Sequence, residues 1–444
     1  RAFPFPSISR RANDDSRTRA RQVLWQGTGR ESGEQYSETY DKLVLATGAR
    51  PVLPPIKGIE SATNVFTLRS LTDGDRIKNY LQTTSPQRVT ILGAGAAGVE
   101  LAENLRHLGL TVTLLDQADQ VMQPYDAEMT GFLEDELVKN GVEVKLGETI
   151  DAVTDNGHQL HLSDGSTFTT DMLLVVTGVR PNNEIAQNAG IQLSVNGHIV
   201  VDDQLATSVP DIYAIGDVIT VQNAITNQTV SIPLAGPANR QGRYLADDLA
   251  GIDRQNPAVL GTSVAKVFAL TTASTGVNER QLKALNMPYE VVHLHPNSSA
   301  GYYPGAAPIE LKVLFSPEGD ILGAQAVGTK GVAKRIDIIS TAIRFHAKVA
   351  ELADVEVAYA PPYASAKDPV NFAGYYFLDV RNPDELLAEP ALAHAVNIPR
   401  NQIRDRLSEL PKDQPIYVYC AAGLRGYNVA RVLTQRGFNA INLD

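Results

Sequence analysis

Cysteine is almost absent from this chain, since Cys420 is the single one among 444 residues. A lone cysteine excludes an intramolecular disulfide, which favours a reducing, cytoplasmic location. Long apolar runs are also missing, because none approaches the roughly 18 residues that a membrane-spanning helix needs. The first residues show no signal-peptide pattern. We therefore expect a cytoplasmic protein without a membrane segment.

An excess of positive charge is missing as well. The chain has 39 Lys and Arg against 50 Asp and Glu, a net charge of −11. Affinity for nucleic acid depends largely on clustered Lys and Arg, so nucleic acid is not an expected partner. Only residues 7–22 are locally Arg-rich. The length of the chain predicts several globular domains rather than one core.

A near-repeat organises the first half of the chain. LVLATGARP at 43–51 and LLVVTGVRP at 173–181 are each a short apolar run that stops at Thr-Gly. Each run predicts a buried strand. Between them, residues 87–116 contain an apolar run, a glycine-rich turn, a helical apolar stripe and a second apolar run. This pattern predicts a β-strand, α-helix, β-strand unit whose helix ends near Gly109.

The turn of this unit carries the pattern GxGxxG. Gly93 permits the tight turn, Gly95 lets the backbone approach a pyrophosphate, and Gly98 allows close packing of the helix on the strand. The helix N-terminus offers free amides to phosphate, and Asp116, about 20 residues on, suits a ribose hydroxyl and repels a 2′-phosphate. NADH is therefore favoured, with NADPH possible. The alternative is a glycine turn that packs without a ligand.

A carboxylate follows another predicted strand, at Gly216 and Asp217 in ATSVPDIYAIGDV. Ligands of open α/β sheets bind at such strand ends, although an ordinary loop carboxylate is the alternative. With this segment, residues 43–375 resemble the pyridine nucleotide-disulfide oxidoreductases, in particular their coenzyme A-disulfide reductase branch. The resemblance implies FAD as well as NADH, with coenzyme A as a substrate or bound ligand.

The resemblance also implies roles for individual residues. In that family, the aspartate that matches Asp217 binds the ribityl or pyrophosphate part of FAD. The segment IPLAGPANRQGR is similar to the family's helix whose first amides face the flavin. The first Thr-Gly turn lies against FAD. Outside the GxGxxG unit, the expected cofactor-binding residues are Ala46, Thr47, Gly48, Gly178, Gly216, Asp217, Leu234 and Ala235.

Residues 255–375 resemble the dimerisation domain of the same family, which implies a homodimer. Residues 317–319, Pro-Glu-Gly, predict the turn of a hairpin. Tyr363 matches the tyrosine that the branch contributes to the partner's substrate site, where its hydroxyl would stabilise a developing thiolate. A proline-rich turn with packed aromatics is the alternative. His293 and His295 alternate like a metal-binding pair, but no third ligand is evident, so no metal is expected.

Cys420 lies in a different kind of loop. It ends the apolar run YVY and is followed by four residues and then Arg425, with Gly423 and Gly426 easing the curve. Backbone amides, a helix N-terminus and Arg425 would favour a thiolate and then a persulfide anion. The segment resembles a rhodanese domain, whose loop has this length, whereas cysteine phosphatases have five residues between Cys and Arg. A buried, inert cysteine is the alternative.

Together these segments predict an α/β protein with two Rossmann-like nucleotide-binding domains, for FAD and NAD, an α+β dimerisation domain and a C-terminal α/β rhodanese-like domain. The expected boundaries are 1–86 (partial FAD-binding), 87–205 (NAD(H)-binding), 206–254 (return segment of the FAD domain), 255–375 (dimerisation) and 376–444 (partial rhodanese-like). The family's first GxGxxG and its redox cysteine are expected upstream of residue 1. Further residues are expected to be missing near residue 375 and after residue 444.

The predicted function is reduction of a sulfur–sulfur bond in coenzyme A disulfide, coenzyme A persulfide or a polysulfide by an FAD enzyme that uses NADH. The expected catalytic residues are Cys420, Arg425 and Tyr363, and Cys420 would carry sulfane sulfur. Two alternatives stay open. One is an NADH oxidase or peroxidase, and the other is a sulfur carrier that performs no reduction.

Overall fold

A computed structural model describes residues 7–10, 23–28, 35–388, 391, 395–412, 414–421 and 423–443. These residues fall into two compact units, the first drawn from residues 1–101, 107–117 and 145–261, and the second from residues 102–106, 118–144 and 262–444. Most of the Arg-rich opening segment, residues 11–22, lies outside the described residues. Within the described ranges, no helix is long and apolar enough to cross a membrane.

The described residues up to residue 261 form many short strands and five α-helices. The strands are β1 (Ser7–Arg10), β2 (Val23–Thr28), β3 (Gln35–Tyr40), β4 (Leu43–Leu45), β5 (Ala49–Pro51), β6 (Val65–Thr67), β7 (Arg88–Leu92), β8 (Thr111–Asp116), β9 (Val142–Leu146), β10 (Ile150–Thr154), β11 (Gln159–Leu162), β12 (Thr167–Thr169), β13 (Met172–Val175), β14 (Val179–Pro181), β15 (Ile212–Ala214), β16 (Val221–Gln222) and β17 (Thr229–Val230). The helices are α1 (Leu71–Thr84), α2 (Ala96–His107), α3 (Ala127–Lys139), α4 (Glu184–Asn188) and α5 (Ala235–Leu249).

A five-stranded sheet with the order β6-β13-β7-β8-β9 carries the glycine turn. Strand β13 is parallel to β6 and β7, and β7 is parallel to β8. Val89 and Ile91 of β7 and all four residues of β13 are buried, as expected for parallel strands covered on both faces. The predicted β-strand, α-helix, β-strand unit is confirmed as β7, α2 and β8. Gly109, with φ of +83°, follows the end of α2.

The two Thr-Gly segments each follow a strand, as predicted, but only the second strand is fully buried, because Val44 in the first is exposed. They follow β4 and β13, and the chain after each turn forms β5 and β14, which pair with each other in antiparallel fashion. Strand β15 lies parallel to β4, with Ile212 opposite Leu43. Leu45, Ile212 and Ala214 belong to one buried apolar cluster. Distant parts of the sequence are thereby brought together in the first unit.

From residue 262 onward the chain forms two sheets. The strands are β18 (Ser263–Val267), β19 (Leu270–Gly276), β20 (Glu290–Leu294), β21 (Ile309–Phe315), β22 (Ile321–Gly328), β23 (Tyr376–Asp379), β24 (Val396–Asn397), β25 (Ile416–Tyr419) and β26 (Ala440–Asn442). The helices are α6 (Glu279–Ala284), α7 (Val332–Arg344), α8 (Pro369–Ala373), α9 (Glu385–Ala388) and α10 (Leu424–Gln435).

The first of these sheets is antiparallel, with the order β18-β19-β22-β21-β20, and α7 packs against β19 and β22. The predicted hairpin is confirmed, since Gly319 N–H donates to the Ser316 carbonyl at 2.8 Å between β21 and β22. The second sheet is parallel, with the order β24-β23-β25-β26. Helix α10 packs on β25 and β26, with Val429 and Leu433 in a core that includes Val418.

The join between these two sheets is short. Helix α8 ends at Ala373 and β23 begins at Tyr376. The ring of Tyr375 stacks on the ring of Tyr417 in β25, with centroids 4.0 Å apart. The Lys367 ammonium lies over the same Tyr417 ring, 5.9 Å from its centroid. Aromatic stacking thus packs Tyr375, in the link between α8 and β23, against the parallel sheet.

Candidate active site

The glycine turn between β7 and α2 has close contacts at its first and third glycines. A Cβ at Gly93, where φ is +115°, would lie 2.6 Å from the Val176 carbonyl oxygen. A Cβ at Gly98 would lie 1.9 Å from the Gly93 carbonyl oxygen. At Gly95, by contrast, nothing lies within 4 Å of the Cβ position. The turn is therefore packed where GxGxxG needs packing and open where a pyrophosphate would approach.

Asp116 ends β8 beside this turn. Its carboxylate accepts a hydrogen bond from the Ala94 N–H at 2.6 Å, and the Gly93 N–H donates to the Leu115 carbonyl at 2.8 Å. The turn and the end of β8 are thus tied together by two hydrogen bonds. Because Asp116 is held there, a negative charge lies beside the glycine turn, where it can accept from a ribose hydroxyl and disfavour a 2′-phosphate.

The two Thr-Gly turns are bonded to each other. Ala46 directly follows β4. The hydroxyl of the next residue, Thr47, donates to the Asn182 carbonyl at 2.7 Å, and the Asn182 side-chain amide donates back to the Thr47 carbonyl at 2.8 Å. Asn182 N–H also donates to the Gly48 carbonyl at 2.9 Å, and Val52 N–H donates to the Gly178 carbonyl at 3.0 Å. The near-repeat therefore forms a single paired structure rather than two separate turns.

Gly216 and Asp217 follow β15, and each contacts a residue that the sequence did not single out. The Gly216 N–H donates to the side-chain oxygen of Gln241, which is buried on α5, at 2.8 Å. The Asp217 carboxylate accepts a hydrogen bond from Arg69, which forms an ion pair with it. Asp217 is thus charge-compensated and oriented by Arg69.

Helix α5 begins at Ala235, with Leu234 in the N-cap position. Leucine has no side-chain acceptor, and no side-chain cap is formed. Pro237, in the first turn, has no N–H to satisfy. A 15-residue helix without a side-chain cap presents the positive end of its dipole and its first amides to an anionic or polar ligand.

Tyr363 lies in the second unit and is 75% exposed. Its N–H donates to the Ala360 carbonyl at 2.9 Å, which forms a turn in the proline-rich segment. The segment is anchored by the fully buried pair of Arg335 and Asp368, whose charged atoms are 2.8 Å apart. The described residues of this chain therefore leave the Tyr363 side chain directed largely to solvent from a firmly held base.

Cys420 directly follows β25 and packs against the core of the parallel sheet while remaining partly exposed. Helix α10 begins at Leu424, as predicted, and the Gly426 N–H lies 3.4 Å from the Cys420 sulfur and donates to it. Residue 422 of the loop lies outside the described residues. The sulfur is thus placed at the N-terminal end of a 12-residue helix, which favours the thiolate.

Arg425 is held by a residue that the sequence analysis missed. Its guanidinium donates two hydrogen bonds to the Glu385 carboxylate, at 2.6 and 2.7 Å. The hydrogen bonds from Arg425 hold the pKa of Glu385 at about 2, so the carboxylate is charged at neutral pH. The Arg425 pKa is raised mainly by Glu385 and further by the nearby Cys420. Arg425 therefore stays cationic beside the sulfur, in a fixed orientation.

The missed contacts share one property, which is a long separation along the chain. Arg69 and Asp217 are 148 positions apart, and Glu385 and Arg425 are 40 apart. No local pattern links such residues. Asn182 is different, because it directly follows the second Thr-Gly repeat in GVRPN and could have been noticed as a part of it.

Comparison with known sequences and structures agrees with these arrangements. The sequence model described as pyridine nucleotide-disulphide oxidoreductase matches residues 14–242, and that of the dimerisation domain of the same family matches residues 262–369. The model of the rhodanese-like domain matches residues 363–444. The chain belongs to the pyridine nucleotide-disulphide oxidoreductase family.

Relatives of this oxidoreductase include the coenzyme A disulfide reductase of Staphylococcus aureus (strain JH9). It is 38% identical over 348 residues, which are 78% of each chain. The crystal structure of reduced Bacillus anthracis CoADR-RHD matches with a TM-score of 0.79 and 44% identity, over 95% of this chain and 80% of that one. A NAD-dependent persulfide reductase from A. fulgidus matches with a TM-score of 0.76 and 34% identity, over 95% and 81% of the two chains.

Family membership confirms several predictions. This oxidoreductase has the predicted α/β fold class, with pyridine nucleotide-disulphide oxidoreductase, dimerisation and rhodanese-like domains. It is an enzyme, and FAD and NAD(P)H are the expected cofactors of its family.

Proposed function

We propose that this protein uses NADH to reduce the sulfur–sulfur bond of coenzyme A disulfide or coenzyme A persulfide, and that its rhodanese-like loop carries sulfane sulfur on Cys420. The observation that carries the proposal is the presence, in one chain, of an open GxGxxG turn with its acid and of a cysteine loop with a fixed arginine. The names of the Staphylococcus aureus, Bacillus anthracis and A. fulgidus relatives support it. In balanced form, one disulfide, one NADH and one proton yield two thiols and NAD⁺, whereas one persulfide, one NADH and one proton yield one thiol, hydrogen sulfide and NAD⁺.

NADH is held by Gly93, Gly95, Gly98 and Asp116 in this proposal. The open space at the Gly95 Cβ position admits a pyrophosphate, and the amides at the start of α2 donate to it. Asp116, tied to the Ala94 N–H at 2.6 Å, accepts from the adenosine ribose. The same charge repels the 2′-phosphate of NADPH, which is why NADH is the preferred reductant.

The FAD-facing residues are those around β15 and α5, together with the paired Thr-Gly turns. Asp217 and the uncapped first turn of α5 offer an acceptor and donors to a polar cofactor chain. Ala46, Thr47, Gly48 and Gly178 lie in the paired turns, whose internal hydrogen bonds hold them in a fixed shape against which the flavin would pack. When bound, FAD supplies the two-electron redox chemistry that no side chain of these turns provides.

Cys420 works as a nucleophile toward sulfane sulfur. Its thiolate attacks the outer sulfur of a persulfide and the donor sulfur leaves as a thiolate, which takes up the persulfide proton, so that Cys420 keeps the transferred sulfur as a persulfide anion. The Gly426 N–H at 3.4 Å and the Arg425 charge stabilise that anion. Glu385 positions Arg425 through two hydrogen bonds.

Tyr363 is proposed to act in the substrate site of a partner subunit. Its 75% exposure and anchored base suit a side chain that reaches out of its own subunit. The match of residues 262–369 to a dimerisation domain supports a homodimer. A cytoplasmic location stays a prediction from the sequence.

The test uses the full-length purified protein. We expect it to be yellow from bound flavin, and to consume NADH when coenzyme A disulfide or coenzyme A persulfide is added. Oxygen uptake is measured in parallel without a sulfur substrate. NADH consumption that tracks oxygen alone, with no response to either sulfur substrate, would contradict the proposal and favour an oxidase.

A further inference from the structure

Two histidines and a glutamate meet on one face of the antiparallel sheet in the second unit. His293 lies opposite Lys312 in the pairing of β20 with β21. His295 lies two positions further along, just past the end of β20, and its Nδ1 is hydrogen-bonded to the Glu310 carboxylate. Residues two apart on a strand share a face, so the cross-strand Glu310 joins both imidazoles. Glu310 is not evident as a third ligand in the sequence, because it becomes a neighbour of the histidines only through the strand pairing.

The geometry of the three side chains suits a metal ion. One nitrogen from each imidazole and one Glu310 oxygen all lie within 4.8 Å of one another. The two rings have centroids 5.0 Å apart. Tetrahedral Zn²⁺ with bonds of about 2.0–2.2 Å needs ligand atoms about 3.3–3.6 Å apart, which is within reach of small side-chain rotations.

His293 also has an unsatisfied atom at this position. Its Nε2 is buried and has no hydrogen-bond partner among the described residues. A cation bound at Nε2 would satisfy an atom that has no partner among the described residues.

The surrounding charge favours a divalent cation even though Lys312 is close. The Lys312 ammonium is buried and contacts Asp126 at 2.8 Å, Glu279 at 2.6 Å and also Glu128. Lys283 pairs with Glu279 at 2.7 Å. Three carboxylates therefore compensate the Lys312 ammonium, and the Glu310 carboxylate adds a negative charge beside the histidines.

The neighbouring acidic cluster does not compete for this role. The oxygens of Asp126, Glu128 and Glu279 also converge, but the Lys312 ammonium already sits among them. The acidic group of Asp126, Glu128 and Glu279 therefore already holds an internal cation, the Lys312 ammonium. The group of His293, His295 and Glu310 instead brings together two imidazole nitrogens and one carboxylate oxygen.

We propose that His293, His295 and Glu310 form a binding site for a divalent transition-metal ion of the Zn²⁺ type. Two imidazoles and one carboxylate are a ligand set that zinc prefers and Mg²⁺ does not. Three protein ligands leave a fourth position open to water or an exogenous ligand.

The test measures Zn²⁺ binding by calorimetry on the full chain after chelator treatment. Cys420→Ser is the background, because it removes the one thiol of these 444 residues as a competing ligand. We expect one Zn²⁺ per chain, and no competition from a tenfold excess of Mg²⁺. Absence of a saturable site, or displacement of Zn²⁺ by Mg²⁺, would overturn the proposal.

Matched variants assign the ligands. In the Cys420→Ser background, His295→Asn and Glu310→Gln are each expected to lower Zn²⁺ affinity at least tenfold. His346→Asn is the control, because His346 is exposed, lies outside the cluster and has φ of +58°, which asparagine tolerates. If the His295→Asn and His346→Asn proteins bound Zn²⁺ with equal affinity, His295 would be no more than an adventitious surface ligand and the proposed site would be refuted. The unfolding midpoint without metal checks that each variant is folded.

Discussion

Gly95 offers a direct test of the nucleotide site, because it separates ligand binding from folding. A Cβ at Gly95 meets no atom within 4 Å, and its φ lies outside the left-handed region. Gly95→Ala should therefore leave the folded chain intact, and it should raise the free energy of unfolding by about 0.4–1 kcal/mol through the unfolded state. The same methyl stands where a pyrophosphate would approach the backbone.

We expect Gly95→Ala to weaken NADH binding at least tenfold, which corresponds to about 1.4 kcal/mol. The measurement is an NADH titration by calorimetry, combined with thermal unfolding of the same samples. FAD content per chain should not change. If Gly95→Ala binds NADH as tightly as the unmodified protein, the glycine turn is not the pyrophosphate site and the reasoning fails.

Two further glycines give matched comparisons. At Gly98 a Cβ would lie 1.9 Å from the Gly93 carbonyl oxygen, so Gly98→Ala should lower stability by about 1–3 kcal/mol as well as weaken NADH binding. Gly131 lies within α3 and a Cβ there meets no atom within 4 Å. Gly131→Ala should therefore raise stability by about 0.5–1 kcal/mol and leave NADH binding unchanged.

Three other predictions concern charged groups. Glu385→Gln keeps the size of the side chain but removes the charge that holds Arg425. Transfer of sulfane sulfur from thiosulfate to cyanide should therefore slow about tenfold, and Glu385→Asp should recover part of the rate. An unchanged rate in Glu385→Gln would show that Glu385 does not act in this site. Arg335→Leu leaves the fully buried carboxylate 2.8 Å away without its cation, so urea unfolding should show a loss of about 3–5 kcal/mol, and a loss below about 1 kcal/mol would contradict this. The hydrogen bond from Arg88 lowers the pKa of Asp171 to about 2, which is below the value in the unfolded chain. The stability contributed by the Asp171 carboxylate is therefore present above about pH 4 and is lost as the pH falls towards about 2. The difference in unfolding midpoint between the unmodified protein and Asp171→Asn should shrink over that range and stay constant above it.

Local patterns predicted the parts of the fold that depend on consecutive residues. The β7, α2 and β8 unit, the hairpin between β21 and β22 and the helix that begins beside Cys420 all follow from turn glycines and apolar periodicity. These signals lie within about 30 residues, so the chain itself holds the interacting groups close together. The close approach of Gly98 to Gly93 is an example, since GxGxxG places both in one turn.

Pairs that are distant in sequence were not predictable in this way. The near-repeat suggested two similar turns, but nothing in it indicated that Thr47 and Asn182 exchange two hydrogen bonds. Likewise Arg69 reaches Asp217, and Glu385 orients Arg425, only because separate elements meet in the folded units. A side chain's identity limits what it can bind, whereas its partner is selected by packing.

The sequence by itself determined the chemistry available to this protein: a glycine turn with an acid for a dinucleotide, and one thiol separated from an arginine by four residues. Both depend on spacing along the chain, which backbone geometry converts directly into a local shape. Tertiary structure alone decided which charges accompany these groups. Strand pairing brought Glu310 to two histidines and helix packing brought Glu385 to Arg425, because electrostatic partners act over a few ångströms of space and not over positions in sequence.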